Sequence, residues 1–258
     1  MPEITVEFPS GLAGRLRGLK GKELRTLASG DKRAGLTGQA LTTVLQACWL
    51  ETLAGGPYPG GEVKWEDALM GDRFYGLIGV RRASYPEDPF LDFDTQCLNK
   101  RCGKTIGARV ELEKLEVKAL PTASAERFAS GQNRLETHLA DGRKVVFKLM
   151  TGRDHIKQKQ IQDAVGPSAQ GLLLSLASRI VEVEGLKSNS ARDIFAFLDD
   201  LEISEHRNLL ETFDAADCGI QTDIHVICQW CDHEQVESLP LGKSFLMPKG
   251  KASGAGAG

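Results

Sequence analysis

Apolar and polar residues alternate at the start of the chain: in ITVEF, Ile4, Val6 and Phe8 alternate with Thr5 and Glu7. That period of two predicts a strand with one buried face. Pro9-Ser10-Gly11 then reads as a turn into a second short strand through Leu16. Further on, LETHL, Ala140-Asp141-Gly142-Arg143 and KVVFKL repeat the arrangement. Asp-Gly between alternating apolar residues is a strong hairpin signal, and Ser-Gly a weaker form of it. Each hairpin is followed by Gly, a basic and an acidic residue: Gly21-Lys22-Glu23 and Gly152-Arg153-Asp154. An acidic residue there suits the first turn of a helix, where backbone amides carry partial positive charge.

Helical spacing takes over in the middle of each half. Leu41, Val44, Leu45, Cys48 and Trp49 recur as one buried face, and Phe74, Leu77 and Ile78 mark a second helix after Gly71-Asp72. Between them residues 55–62, GGPYPGGE, form a loop by composition. Residues 172–183 and 194–201 are helical candidates in the second half. Ser204 is placed to cap a third helix carrying Leu209, Leu210 and Phe213.

These patterns describe an internal duplication. A shift of 131 residues brings Gly11 onto Gly142, Gly21 onto Gly152 and Cys97 onto Cys228. It also brings Phe8 onto Leu139, Leu16 onto Phe147 and Glu23 onto Asp154. The expected fold is α+β: two pseudo-repeats of β-hairpins flanking a helical group, residues 1–121 and 122–248. Residues 249–258, rich in Gly and Ala, form a mobile tail with nothing to bury, open to ordering by a partner.

Each half closes on a cysteine pair between strand-like runs: FLDFDTQC-LNKR-CGKTIGARVELEKL, and TDIHVIC-QW-CDHEQVESLPL. Two sulfurs at a hairpin tip can grip one tetrahedral ion, and Cys228-x-x-Cys231 has the usual knuckle spacing. Cys97 and Cys102 enclose four residues, the wide end of the range, with Gly103 supplying a relaxed backbone after them. Cys97, Cys102, Cys228 and Cys231 together make a closed all-thiolate shell, for which zinc is the preferred ion and a structural role the consequence. Such a site would stabilise the fold by on the order of 10 kcal/mol at neutral pH. It would also bring Cys102 and Cys228, 126 residues apart, into contact. Two other readings stand beside it: four unligated cysteines in two hairpins, or separate sites in which His225 or His233 joins the second pair. Cys48 reads as a core residue and Cys218 as a bland loop residue.

Composition narrows the function. The 258 residues are 41% hydrophobic and 26% charged with a formal net charge of -3, an ordinary globular balance that speaks against a nucleic-acid binder. The N-terminus has no signal-peptide pattern and no apolar run reaches membrane-spanning length, so folding is expected in a reducing cytoplasm, where cysteines more often bind metal than pair. There is no GxSxG elbow and no HExxH, and Gly103-Lys104-Thr105 lacks the earlier glycine of a phosphate loop, Leu98 standing there. The five histidines are scattered and read as solvated or structural. Lys100, Arg101 and Lys104 give the first cysteine hairpin a basic tip.

The succession of ITVEFPSG, GDRFYGLIGVRRASY, the cysteine hairpin ending VELEKLEVKALP, LADGRKVVFKLMTG, the CxxC-H hairpin and a final SFLMP resembles the base plate protein family of T-even-type contractile-tailed bacteriophages. The likeness runs over roughly residues 3–248, and members are described as baseplate hub or tail assembly proteins. The resemblance implies a non-enzymatic structural component of the tail baseplate, in its hub and wedge region. Its implied partners are hub, wedge or tape-measure chains, with no small-molecule substrate and no membrane. It would be made in the host cytoplasm and carried in the virion. An assembly chaperone that helps form the hub and then leaves is the alternative. A part that bears load when the sheath contracts would gain stiffness from a metal cross-link.

Overall fold

A computed structural model describes residues 2–28, 38–165 and 171–247. The tail expected over 249–258 lies outside the described residues. The first half comprises β1 (Glu3–Glu7), β2 (Leu12–Arg17), α1 (Gly21–Ala28), α2 (Gly38–Cys48), β3 (Trp49–Gly55) and α3 (Met70–Ser84). The cysteine hairpin β4 (Phe90–Gln96) and β5 (Thr105–Glu111) follows, then β6 (Val117–Lys118) and α4 (Thr122–Ala129). The second half comprises β7 (Leu135–His138), β8 (Lys144–Phe147), α5 (Gly152–Val165), α6 (Gly171–Arg179), β9 (Ile180–Val183), α7 (Ala191–Asp199) and α8 (Ile203–Ala216). It continues through β10 (Gly219–Ile220), the second cysteine hairpin β11 (Asp223–Ile227) and β12 (Glu234–Ser238), and α9 (Lys243–Leu246). The fold is α+β, with small antiparallel sheets and helices packed around them.

The duplication is visible in hydrogen-bond register. Ile4 faces Leu16 in the first hairpin and Leu135 faces Phe147 in the second, each partner shifted by the same 131 residues. Gly11 and Gly142 close the two turns at φ of +86° and +88°, a left-handed conformation that costs glycine nothing. A third strand completes both sheets, in the orders β1-β2-β3 and β7-β8-β9. Leu16 faces Trp49 and Phe147 faces Ile180, with an irregularity just before each pair. The helix-start acids correspond too. Glu23 receives the amide of Lys20 (2.7 Å) and pairs with Arg17 (2.8 Å); Asp154 receives the amide of Thr151 (3.0 Å) and pairs with Lys148.

Three local expectations need correction. Residues 172–183 are not one helix: α6 ends at Arg179 and Ile180–Val183 is a strand. Trp49 likewise begins β3 rather than extending the face of α2. The run Ile180-Val181-Glu182-Val183 explains the switch, because β-branched side chains lose rotamer freedom in a helix and pack well on a sheet. Ser204 lies inside α8, which starts at Ile203 with Glu202 in the cap position and no side-chain cap. The serine that does cap a helix is Ser190, whose hydroxyl accepts the amide of Asp193 at the start of α7.

Each half has its own core. Val6, Phe8, Leu12 and Leu16 pack with Leu41, Val44, Leu45, Cys48, Leu77 and Ile78. Val145, Phe147 and Ile180 pack with Leu176, Ile194, Phe195, Leu198 and Phe213, the Phe147 and Phe213 rings stacked 4.3 Å apart. The first core also takes Leu239, Phe245 and Leu246 from the end of the chain.

Helix α3 holds this arrangement together through buried charge. Asp72, fully buried, accepts from the Ser10 amide (3.1 Å) and hydroxyl (2.5 Å) and from the Tyr58 hydroxyl (2.6 Å). Arg73 donates to Gly38 O (2.8 Å), Thr42 Oγ1 (3.0 Å) and the Trp65 carbonyl. All these acceptors are neutral, and burial brings Arg73 down to about 10. Arg81 reaches Phe245 O (2.8 Å) and so anchors α9.

The halves meet along a seam where Met70 N donates to Met150 O (2.9 Å) and Gly152 N to Ala68 O (3.0 Å). The β6–β10 ladder pairs Lys118 with Gly219 and Val117 with Ile220. At Gly71 the chains touch so closely that a Cβ would lie 2.3 Å from Cys218 O. Gly71→Ala is therefore expected to destabilise by about 1–3 kcal/mol, because backbone cannot step aside as a side chain can. Gly21→Ala, where a Cβ meets nothing within 4 Å, is expected to leave stability unchanged or raise it slightly. Urea unfolding of the two variants checks the contrast.

Candidate metal centre

Cys97 follows β4 directly and Cys228 follows β11 directly, so each strand delivers its first sulfur to a hairpin tip. Cys97 N donates to Lys104 O and Cys228 N to His233 O, both at 2.9 Å, closing the two tips in the same way. Within the second tip, the amides of Cys231 (3.3 Å) and Asp232 (2.8 Å) both turn back to Cys228 O. In the first, the amides of Cys102 (2.8 Å) and Gly103 (3.0 Å) turn back to Asn99 O. The four-residue gap is thus accommodated by making Asn99, not Cys97, the start of an otherwise equivalent turn. The residue after each second cysteine is left-handed: Gly103 at φ +56° and Asp232 at φ +53°.

The two tips meet. Cys97 Sγ lies 3.6 Å from Cys231 Sγ, and Cys102 Sγ lies 3.8 Å from Cys228 Sγ. All four sulfurs fall within 4.8 Å of one another. Four thiolates about 2.3 Å from a central ion stand roughly 3.8 Å apart at tetrahedral corners, so the spacing fits a zinc-sized shell. Neither His225, which is exposed, nor His233 belongs to this group. Beneath the sulfurs Ile106 and Val226 are buried, with Ala108 and Ile224 packed against them.

The electrostatics suit a cation. Burial, with the thiols of Cys231, Cys228 and Cys102, holds Cys97 up at about 12. Burial acts the same way on Cys228, but the Trp230 backbone amide and the other three thiols outweigh it and bring Cys228 down to about 7. Crowded thiols without an ion therefore share a single easily formed negative charge. A divalent cation reverses that preference, since coordination deprotonates a thiol outright. Asn99 Nδ2 stands 3.7 Å from Cys231 Sγ, a donor to the sulfur from outside the cluster.

Gln235 is a site residue that the sequence reading passes over. It sits on the inward face of β12, buried, and its side chain bridges the hairpins. Its Oε1 accepts from Leu98 N and its Nε2 donates to Gln96 O, both at 2.9 Å, on either side of Cys97. The signal was available: a polar residue at an inward position of an alternating strand needs a partner.

The remaining candidates lie elsewhere. Cys48 is buried in the first core, where burial raises its thiol to about 11. Cys218 is buried beside Leu69 and Leu149, and burial raises it further still. His206 is buried with Nε2 2.7 Å from Leu198 O. Lys100 and Arg101 are exposed, while Lys104 Nζ stands 4.4 Å from the centre of the Trp230 ring. Gly103 serves the knuckle turn rather than a phosphate loop.

A family model described as T4 bacteriophage base plate protein matches residues 1–247. No curated protein and no solved structure matches the chain.

Replacing Gln235 by methionine, similar in length but without the amide, strands the Leu98 amide and the Gln96 carbonyl. The expected loss is about 1–3 kcal/mol for unpaired buried groups, with faster hydrogen exchange at the Leu98 amide. Exchange unchanged at Leu98 would contradict the bridging role.

Proposed function

The chain belongs to the T4 bacteriophage base plate protein family, and on that premise we propose that it is a structural, non-enzymatic component of a phage tail baseplate, in the hub and wedge region. Its two pseudo-repeats, residues 1–121 and 122–248, are stapled by a single zinc ion on Cys97, Cys102, Cys228 and Cys231. The observation that carries the staple is the convergence of four sulfurs within 4.8 Å from two hairpins far apart in sequence. Zinc on four thiolates supplies a redox-inert tetrahedral cross-link with no coordination position left for substrate.

Family membership supports a place among other tail proteins; hub, wedge and tape-measure chains are the proposed partners, and the virion tail the proposed destination after assembly in the host cytoplasm. No described helix is long and apolar enough to cross a membrane. A baseplate part carries force when the sheath contracts. A cross-link between the hairpin tips resists shear there, since each two-stranded hairpin alone is marginal.

Purified protein is expected to hold one zinc ion per chain. Cys228→Ser is expected to lose it, and Cys48→Ser, which lies outside the cluster, to retain it. Chelation is expected to lower the thermal midpoint; an unchanged midpoint would remove the stapling role. Mass spectrometry of purified particles tests the placement. Stoichiometric copies support a resident structural part, and absence supports an assembly factor that departs.

A further inference from the structure

The two cysteine hairpins share one scaffold, so each position on one has a counterpart on the other. On the first, Asp92 faces Arg109, Asp94 faces Gly107 and Gln96 faces Thr105, all exposed. On the second, Asp223 faces Ser238, His225 faces Val236 and Ile227 faces Glu234, again all exposed. Successive strand residues alternate faces, so each set is the outward side of its hairpin. Opposite the inner side, with its Ile106 and Val226, both outward sides should be polar.

Only the first is. Arg109 Nε bonds Asp92 Oδ1 at 2.6 Å, satisfying that face internally. On the second, Ile227 replaces the counterpart of Gln96 and Val236 that of Gly107, and they are 60% and 51% exposed. Diagonal neighbours across a strand pair are within reach of each other, so the two side chains make a continuous apolar strip. Charge borders the strip on one sign only. Glu234 lies directly across from Ile227, Asp223 lies at the far end and Asp232 just past the tip. Among the described residues neither Glu234 nor Asp232 has a cationic partner. The three cations of the region, Lys100, Arg101 and Lys104, belong to the other hairpin.

We propose that the outward face of the β11–β12 hairpin docks an apolar segment, carrying lysine or arginine, of another tail protein. Ile227 and Val236 supply the buried contact, and Asp223, Asp232 and Glu234 select a basic partner. Charge at the rim of such a surface governs the rate and choice of encounter, while the apolar centre governs how long the complex lasts. The inference uses membership of the baseplate family and does not depend on the chain being retained in the particle.

The test places a photo-crosslinking amino acid at His225, and separately at its counterpart Asp94, in the full chain expressed during infection. Position 225 is expected to form an adduct with another tail protein, mapped to an apolar peptide containing lysine or arginine, and position 94 to form none. Ile227→Gln, which installs the first hairpin's residue, is expected to reduce the adduct about ten-fold, the effect of losing one buried apolar side chain. Glu234→Lys is expected to reduce it as well. Both substitutions are at exposed positions, and circular dichroism checks that the fold is intact. No adduct at 225, equal adducts at 225 and 94, an adduct with a second copy of this chain or with a host protein, or insensitivity to Ile227→Gln would each overturn the proposal. Absence of the chain from finished particles would instead count against a resident role, and leaves the adduct in infected cells unaffected.

Discussion

The close approach of four sulfurs at the tips of two hairpins is the constraint on which the rest of the structure depends. Each hairpin is only two strands, and between them lies a core of just Ile106, Val226 and their small neighbours. Apolar burial on that scale does not hold a two-stranded ribbon in one place. The base of the pair is pinned by the short β6–β10 ladder, and Gln235 bridges near the top. What remains is the tip itself. Four thiols crowded together there gain little from one another without a cation, and a great deal with one.

The duplicated halves have not stayed equal. α3 is buried along most of its length and carries Asp72, Arg73 and Arg81 into the interior, each tied to a different part of the chain. Groups like these are expensive to bury and are satisfied only when the surrounding backbone is in place. They couple the first turn, the start of α2 and the C-terminal helix into one cooperative unit. The second half relies more on aromatic packing, with Phe147 stacked on Phe213 and the Arg179 guanidinium lying over Phe213. A shared ancestor for the strands is thus compatible with separate solutions for the helices.

How much of this was legible in the sequence depended on punctuation. Gly11 and Gly142 announce their hairpins because the turn needs a left-handed residue, and the constant offset between halves reports a shared register. The four cysteines were legible because thiolate chemistry has few alternatives at that spacing. β3 and β9 were not, since each follows a helix with no turn between, at Cys48–Trp49 and Arg179–Ile180, and the change of period is hidden. The first knuckle was hard to judge because Asn99 takes over the start of the turn, something spacing alone does not reveal. The partners of Asp72, Arg73 and Gln235 lie too far along the chain for any local pattern to show them.

Baseplate membership and the thiol cluster thus point the same way, toward a part whose value is rigidity and not turnover. X-ray absorption at the zinc edge of the purified protein tests the centre of that account most directly. The account predicts a shell of four sulfurs at about 2.3 Å with no lighter scatterer. A protein without zinc, or a shell in which nitrogen or oxygen replaces sulfur, would contradict it.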